Sequence, residues 1–141
     1  MRLSDGFTRR SWIVVCLGAV AATLPSPLRA QLARLGSVHP TPRPGITGGK
    51  VATAEMLDGD MGLTELFDNV RNIPQVVDGI RCHCGCADLH GHYSLLTCYE
   101  GANAMARICP ICQGEGRVAV RMAKAGKSLA DIRIAIDAQY G

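Results

Sequence analysis

Six of the chain's seven cysteines lie between Cys82 and Cys112, spaced C-x-C-x-C-x11-C-x10-C-x2-C. No other feature constrains the fold as strongly. The sulfurs could pair as disulfides, hold a metal or carry out thiol chemistry, and each use needs particular Cβ atoms brought close together. Alternate positions of an extended strand point to opposite faces. Cys82-His83-Cys84-Gly85-Cys86 must therefore be a folded loop if its three sulfurs meet, and Gly85 supplies the sharp turn. Cys109 and Cys112 stand at i and i+3 of a helix start opened by Pro110, so both thiols can face the same way. The positive end of a helix dipole there favours thiolate, the form that binds metal and attacks disulfides. Cys98 falls between the two clusters. His83, His90 and His92 lie nearby, and imidazole is the common companion of sulfur on zinc or copper.

The first 30 residues have a different character. A polar stretch ends in Arg9-Arg10, an apolar run of 13 residues follows from Trp12 to Leu24, and a small residue stands at Ala30. That is the layout of an export signal. The run is shorter than the roughly 20 residues needed to span a bilayer, so membrane contact is expected only through an uncleaved signal. Thr8-Arg9-Arg10-Ser11-Trp12-Ile13 resembles the twin-arginine signal, whose route carries proteins already folded, often with a cofactor inserted in the cytoplasm. Disulfides rarely form in that compartment. Cys16 belongs to the apolar run of the signal. Without residues 1–30 the chain has 11 basic and 11 acidic residues and no net charge. Nucleic-acid binding, which needs a basic face, is not expected. The expected location is the periplasm or the extracytoplasmic face of the membrane.

Residues 31–60 read as a flexible linker, with Pro40, Pro42 and Pro44 and no apolar period. The folded unit is then 61–141, small enough that a hydrophobic core alone is marginal and staples are usual. Leu63, Leu66, Phe67 and Val70 mark one face of a helix. Pro74 to Asp78 is a short second helix closed by Gly79. Residues 87–98 read as loop or short turns, and 102–108 as one or two helical turns. Pro110 opens a helix with Cys109 at its N-cap, Ile111, Val118 and Met122 on one face, and Gly126 as the stop. Gly114 and Gly116 weaken it by about 1 kcal/mol each against alanine, or admit the close approach of another backbone. Ser128 and Asp131 form a capping pattern for the last helix, with Leu129, Ile132, Ile136 and Tyr140 as its apolar stripe. No strand is expected: the fold class is all-α, a small irregular helical domain with a cysteine-rich loop.

Four uses of the sulfurs follow. Clustered thiolates suit a soft metal, Cu(I) or Zn(II), rather than magnesium or calcium. Three disulfides would suit an exported, disulfide-stapled interaction module. Cys109-Pro110-Ile111-Cys112 suits a thiol–disulfide oxidoreductase, although no βαβ pattern accompanies it. Cys84, Cys86, Cys109 and Cys112 would suit a [2Fe–2S] cluster. The metal reading takes Cys82, Cys84, Cys86, Cys98, Cys109 and Cys112 as sulfur ligands. No paired carboxylates or nucleophile–base pair stand out, so a binding protein is expected rather than an enzyme, with a metal ion and another envelope protein as its partners.

The run Cys82-His83-Cys84-Gly85-Cys86, then Gly91-His92, Leu95-Leu96, Cys98, Cys109, Cys112-Gln113, Gly126-Lys127-Ser128, Ile132-Arg133 and Ile136-Asp137 resembles the bacterial PCYCGC-motif family. These are small exported or lipid-anchored proteins, mostly of unassigned function. The resemblance covers about residues 73–140. It departs at Arg81, where the family has proline, and at His83, where it has tyrosine. The resemblance implies that the ring at 83 is not needed by a common site. It raises His92, which matches the pattern, above His90 as an additional ligand. His39 and His90 read as solvated, Tyr93 and Tyr99 as cover for the site or core, and Asp88 and Glu100 as surface residues.

Overall fold

The computed structural model describes residues 38–141. The expected export signal and the first part of the expected linker lie outside them. Among the described residues there are five α-helices: α1 Met61–Arg71, α2 Pro74–Asp78, α3 Cys86–Leu89, α4 Pro110–Lys124 and α5 Leu129–Tyr140. Four 3₁₀ turns, Gly48–Lys50, Glu55–Leu57, Leu96–Tyr99 and Met105–Arg107, join them. The only strand-like pairing among the described residues is one antiparallel bridge between Val51 and Glu100. The class is all-α, as the apolar periods predict. No helix of the described residues is long and apolar enough to cross a membrane.

Local chemistry sets the helix ends. Asp60 caps α1 by accepting the Leu63 amide at 3.0 Å, and the side chains of Leu66, Phe67 and Val70 are buried. Pro74 opens α2 and Gly79 closes it. Ser128 and Asp131 form a reciprocal capping box on α5, a feature worth about 1 kcal/mol. Ile132 and Ile136 carry the buried stripe of α5, which packs on α4. On α4 the buried face runs through Cys112, Glu115, Ala119 and Val118. Ile111, expected on that face, remains exposed at 37 % because the inward position at the helix start is taken by Cys112.

Helix α4 also packs against α1, α2 and the Met105–Arg107 turn, so it is the central element. Its glycines admit side chains rather than backbone. A Cβ at Gly116 would strike the Tyr99 hydroxyl, and one at Gly114 would strike the Tyr140 hydroxyl. Tyr99 is fully buried, meets Phe67 edge-on with ring centroids 4.7 Å apart, and donates its hydroxyl to the Cys112 carbonyl at 2.7 Å.

The stretch expected as linker differs from Val38 onward. Val51, Ala52 and Leu57 are buried in the core. The Ala52 amide donates to the Tyr99 carbonyl at 2.9 Å, and the Arg71 guanidinium donates to the carbonyls of Val51 (3.2 Å) and Ala52 (2.7 Å). Arg43 grips Asp78 through its amide at 2.8 Å and its Nη2 at 2.6 Å. Arg133 of α5 donates to the carbonyls of Gly79 and Pro40, both at 2.8 Å. This segment wraps the helices through side-chain-to-backbone bonds, which need no apolar period and leave none in the sequence.

Candidate metal centre

The CHCGC segment is a tight loop. Gly85 takes φ +86° and stands at the N-cap of α3, the left-handed conformation for which glycine carries no penalty. The turn brings Cys82, Cys84 and Cys86 onto one side. Cys82 and Cys84 sulfurs lie 3.2 Å apart, and those of Cys84 and Cys86 2.7 Å apart. Helix α4 presents Cys112 to the same point, 3.4 Å from Cys82 and 3.5 Å from Cys84. The buried Leu96–Tyr99 turn supplies Cys98 from a third direction. All six cysteines are free thiols.

The sulfurs form two convergent sets. Cys82, Cys86, Cys98 and Cys112 are all buried; Cys84, Cys109 and Cys112 form a second set, in which Cys84 and Cys109 are half-buried. Within each set the sulfurs lie within 4.8 Å of one another. A tetrahedral site with metal–sulfur bonds of about 2.3 Å has sulfur–sulfur edges of about 3.8 Å, so the donor sets fit a metal ion with small adjustment.

Backbone amides are aimed at the sulfurs. The Cys84 amide donates to Cys82, the Cys86 amide to Cys84, and the Cys112 amide to Cys109 at 3.5 Å. Such donors stabilise thiolate over thiol. The thiols also hydrogen-bond one another. Bonds from Cys112 and Cys98 pull the Cys82 thiol well below its usual range. Cys84 is pushed up, by burial first and then by its bonds to Cys86 and Cys82. Cys112 is pushed up because its proton is held in bonds to Cys82 and Cys98. The thiols thus hold one another's protons, which a bound cation would replace.

The histidines divide sharply. His83 turns away from the sulfurs: its amide donates to Glu115 Oε1 at 2.9 Å, and its Nδ1 lies 2.6 Å from the same oxygen. Its Nε2 is 3.0 Å from Asp137 Oδ1. His39, read as solvated, is instead half-buried, with its side chain only 8 % exposed. Its Nδ1 accepts the Arg81 amide at 3.0 Å, so the ring proton is on Nε2 and points at Asp137, also at 3.0 Å. Burial pulls His39 below its usual value and keeps it neutral, although Asp137 opposes this. His92 Nδ1 lies 3.3 Å from the Cys98 sulfur, but neither convergent set includes it. His90 is exposed, with its ring 5.9 Å from that of His92. Asp88 pairs with Arg81 at the surface.

Glu115 is not among the residues singled out by the sequence. Its side chain is fully buried, and Oε2 has no hydrogen-bond partner among the described residues. Burial pushes its carboxyl up to about 9, and the charge of nearby Cys82 adds to the effect. A carboxyl oxygen 2.6 Å from a ring nitrogen requires a proton between them, so Glu115 and His83 share one. The sequence does carry a signal for it: Glu115 is i+3 from Cys112 on α4 and therefore on the same face. Asp137 has no such signal, because only the packing of α5 brings it to His83 and His39.

Fold and site together define a small all-helical domain built around a six-cysteine cluster able to hold a metal ion. Compared with known proteins, the chain finds no match among protein-family models, curated proteins or solved structures.

Proposed function

We propose that this is an exported protein of the cell envelope that binds a soft metal, Cu(I) or Zn(II), through clustered thiolates, for metal handling or for stabilisation of its own fold. One observation carries the reading: six unbridged sulfurs converge, and backbone amides point at three of them. A disulfide sulfur gains little from such donors; a ligating thiolate gains from each. All-sulfur donor sets favour soft cations over magnesium or calcium. Export is supported by the signal-like first 30 residues and by the resemblance to the PCYCGC-motif family, and the periplasm or extracytoplasmic face follows from it. A role in binding rather than catalysis is supported by the buried set of four sulfurs, which fills a tetrahedral shell and leaves no position for substrate. Another envelope protein is the expected source or recipient of the metal.

The chain's own residues have defined tasks here. Gly85 turns the loop, the Cys109 cap orients the start of α4, and Tyr99 holds the Cys112 carbonyl. Glu115 and His83 keep a shared proton beside the sulfurs, so that a carboxylate charge is not added to theirs.

A second reading rests on Cys109, half-buried at a helix N-cap and accepting the Cys112 amide, the setting of an attacking thiolate. Elemental analysis with free-thiol counting separates the two. The full chain, purified from its native compartment without reductant, is expected to carry stoichiometric Cu or Zn and free thiols once the metal is chelated. Absence of metal together with absence of free thiols would overturn the metal reading in favour of disulfides. Cys112→Ser is expected to lose metal and lower the melting temperature. Retained metal and fold with loss of disulfide-reductase activity would favour the oxidoreductase.

A further inference from the structure

Six sulfurs are more than one tetrahedral ion can use, and the surplus is not scattered. Four of them form a buried set, half-buried Cys84 and Cys109 form a second set with Cys112, and Cys112 belongs to both. Its sulfur lies 3.4 Å from Cys82 of the first set and 3.5 Å from Cys84 of the second. A thiolate has lone pairs enough to bond two soft cations at once. We propose that the cluster is binuclear, with the Cys112 sulfur bridging a closed four-sulfur position and an open three-sulfur position that takes Cu(I). This deepens the metal-binding reading and rests on it.

The two positions differ in the way a storage and an exchange position would. Cys82, Cys86, Cys98 and Cys112 are each at most 4 % exposed, so an ion among them is sealed. Cys84 and Cys109 reach the surface, and Cys109 is flanked by exposed Ile108. Three sulfurs suit Cu(I), a soft ion content with low coordination, and leave one side open to an incoming ligand. Metal is then exchanged at Cys84 and Cys109 without opening the core.

Backbone placement supports the bridging role of Cys112. Its carbonyl accepts the buried Tyr99 hydroxyl, its amide donates to Cys109, and Gly116, one turn on, makes room for the Tyr99 ring. The residue shared by both sets is thus anchored on both sides of its peptide group.

The test is native mass spectrometry of the full chain loaded anaerobically with Cu(I) alone, followed by competition with a bidentate Cu(I) chelator. The expected result is two ions per chain, one withdrawn at least tenfold faster than the other. Cys109→Ser keeps the helix cap, since serine is a strong N-cap residue, and is expected to hold one ion, the slow one. Cys84→Ser should do the same. A single ion in the wild type, three or more ions, or two ions retained by Cys109→Ser would each overturn the binuclear assignment while leaving thiolate binding standing. No bound ion together with oxidised thiols would overturn both.

Discussion

Two buried carboxylates mark two regions of the molecule and stand in opposite states. Asp78, at the end of α2, is fully buried and fully answered. Arg43 contributes its amide, Nε and Nη2, and Ser94 adds its hydroxyl at 2.7 Å. Burial alone would raise its pKa, but the bonds from Arg43 override this and hold the carboxyl below its usual range. Glu115, on α4, is equally buried, yet one oxygen is unanswered and its carboxyl is pushed up to about 9 beside a ring of sulfurs. The first region is complete within the chain. The second leaves a buried carboxyl oxygen unanswered beside convergent sulfurs able to hold a metal ion, which sets it apart from the packed core.

This contrast can be broken most directly by paired isosteric changes. Asp78→Asn is expected to destabilise the domain by about 1–3 kcal/mol at neutral pH, since it removes the charge-assisted bonds that the buried carboxylate accepts from Arg43, whose half-exposed guanidinium water can still solvate; denaturant midpoints measure it, and metal content per folded chain should not change. Glu115→Gln should cost far less at pH 7, and the two regions are alike after all if both substitutions cost the same.

Acid and alkali should separate the same two groups. The pKa of Asp78 is depressed on folding. Its contribution is present above its unfolded value, about 3.9, and is lost as pH falls through the folded value. The pKa of Glu115 is raised. Its contribution is present below its unfolded value, about 4.3, and is lost as pH rises through about 9. In metal-free, reduced protein, the stability difference between wild type and Glu115→Gln should therefore shift in favour of the variant from pH 5 to 9. A difference independent of pH across that range would show that Glu115 is ionised in the folded state.

Gly116→Ala tests the ground between the regions. An added methyl meets the Tyr99 hydroxyl, and overpacking of this kind costs about 1–3 kcal/mol. The loss should be accompanied by weaker metal retention, because Tyr99 also holds the Cys112 carbonyl. The smallest effect is expected from Ser128→Ala, about 1 kcal/mol from the lost α5 cap, equal with and without metal.

Much of the helical frame is legible in the amino-acid sequence. The period of Leu63, Leu66, Phe67 and Val70 predicts α1, Pro74 and Gly79 bound α2, Cys109 and Pro110 open α4, and Ser128 with Asp131 cap α5. These are local signals, carried by residues within a few positions of one another. His39 and the stretch from residue 38 to 60 read as solvated and flexible, because their partners, Asp137, Asp78, Arg71 and Tyr99, are distant in the chain. Prolines and glycines say only that no regular helix forms there; they do not say whether the segment packs.

The sequence by itself determined that CHCGC had to be a folded loop for its sulfurs to meet, and which helix start would carry two more, since spacing and turn chemistry are local. Only the tertiary structure decided how the sulfurs divide: four sealed, two near the surface, and Cys112 between them. That division depends on how α4 lies against the CHCGC loop and the Leu96–Tyr99 turn, through contacts that span tens of residues and leave no periodic trace. The same packing placed Glu115 beside the sulfurs and turned His83 away from them, because a buried carboxyl and a nearby imidazole lower their free energy by sharing a proton.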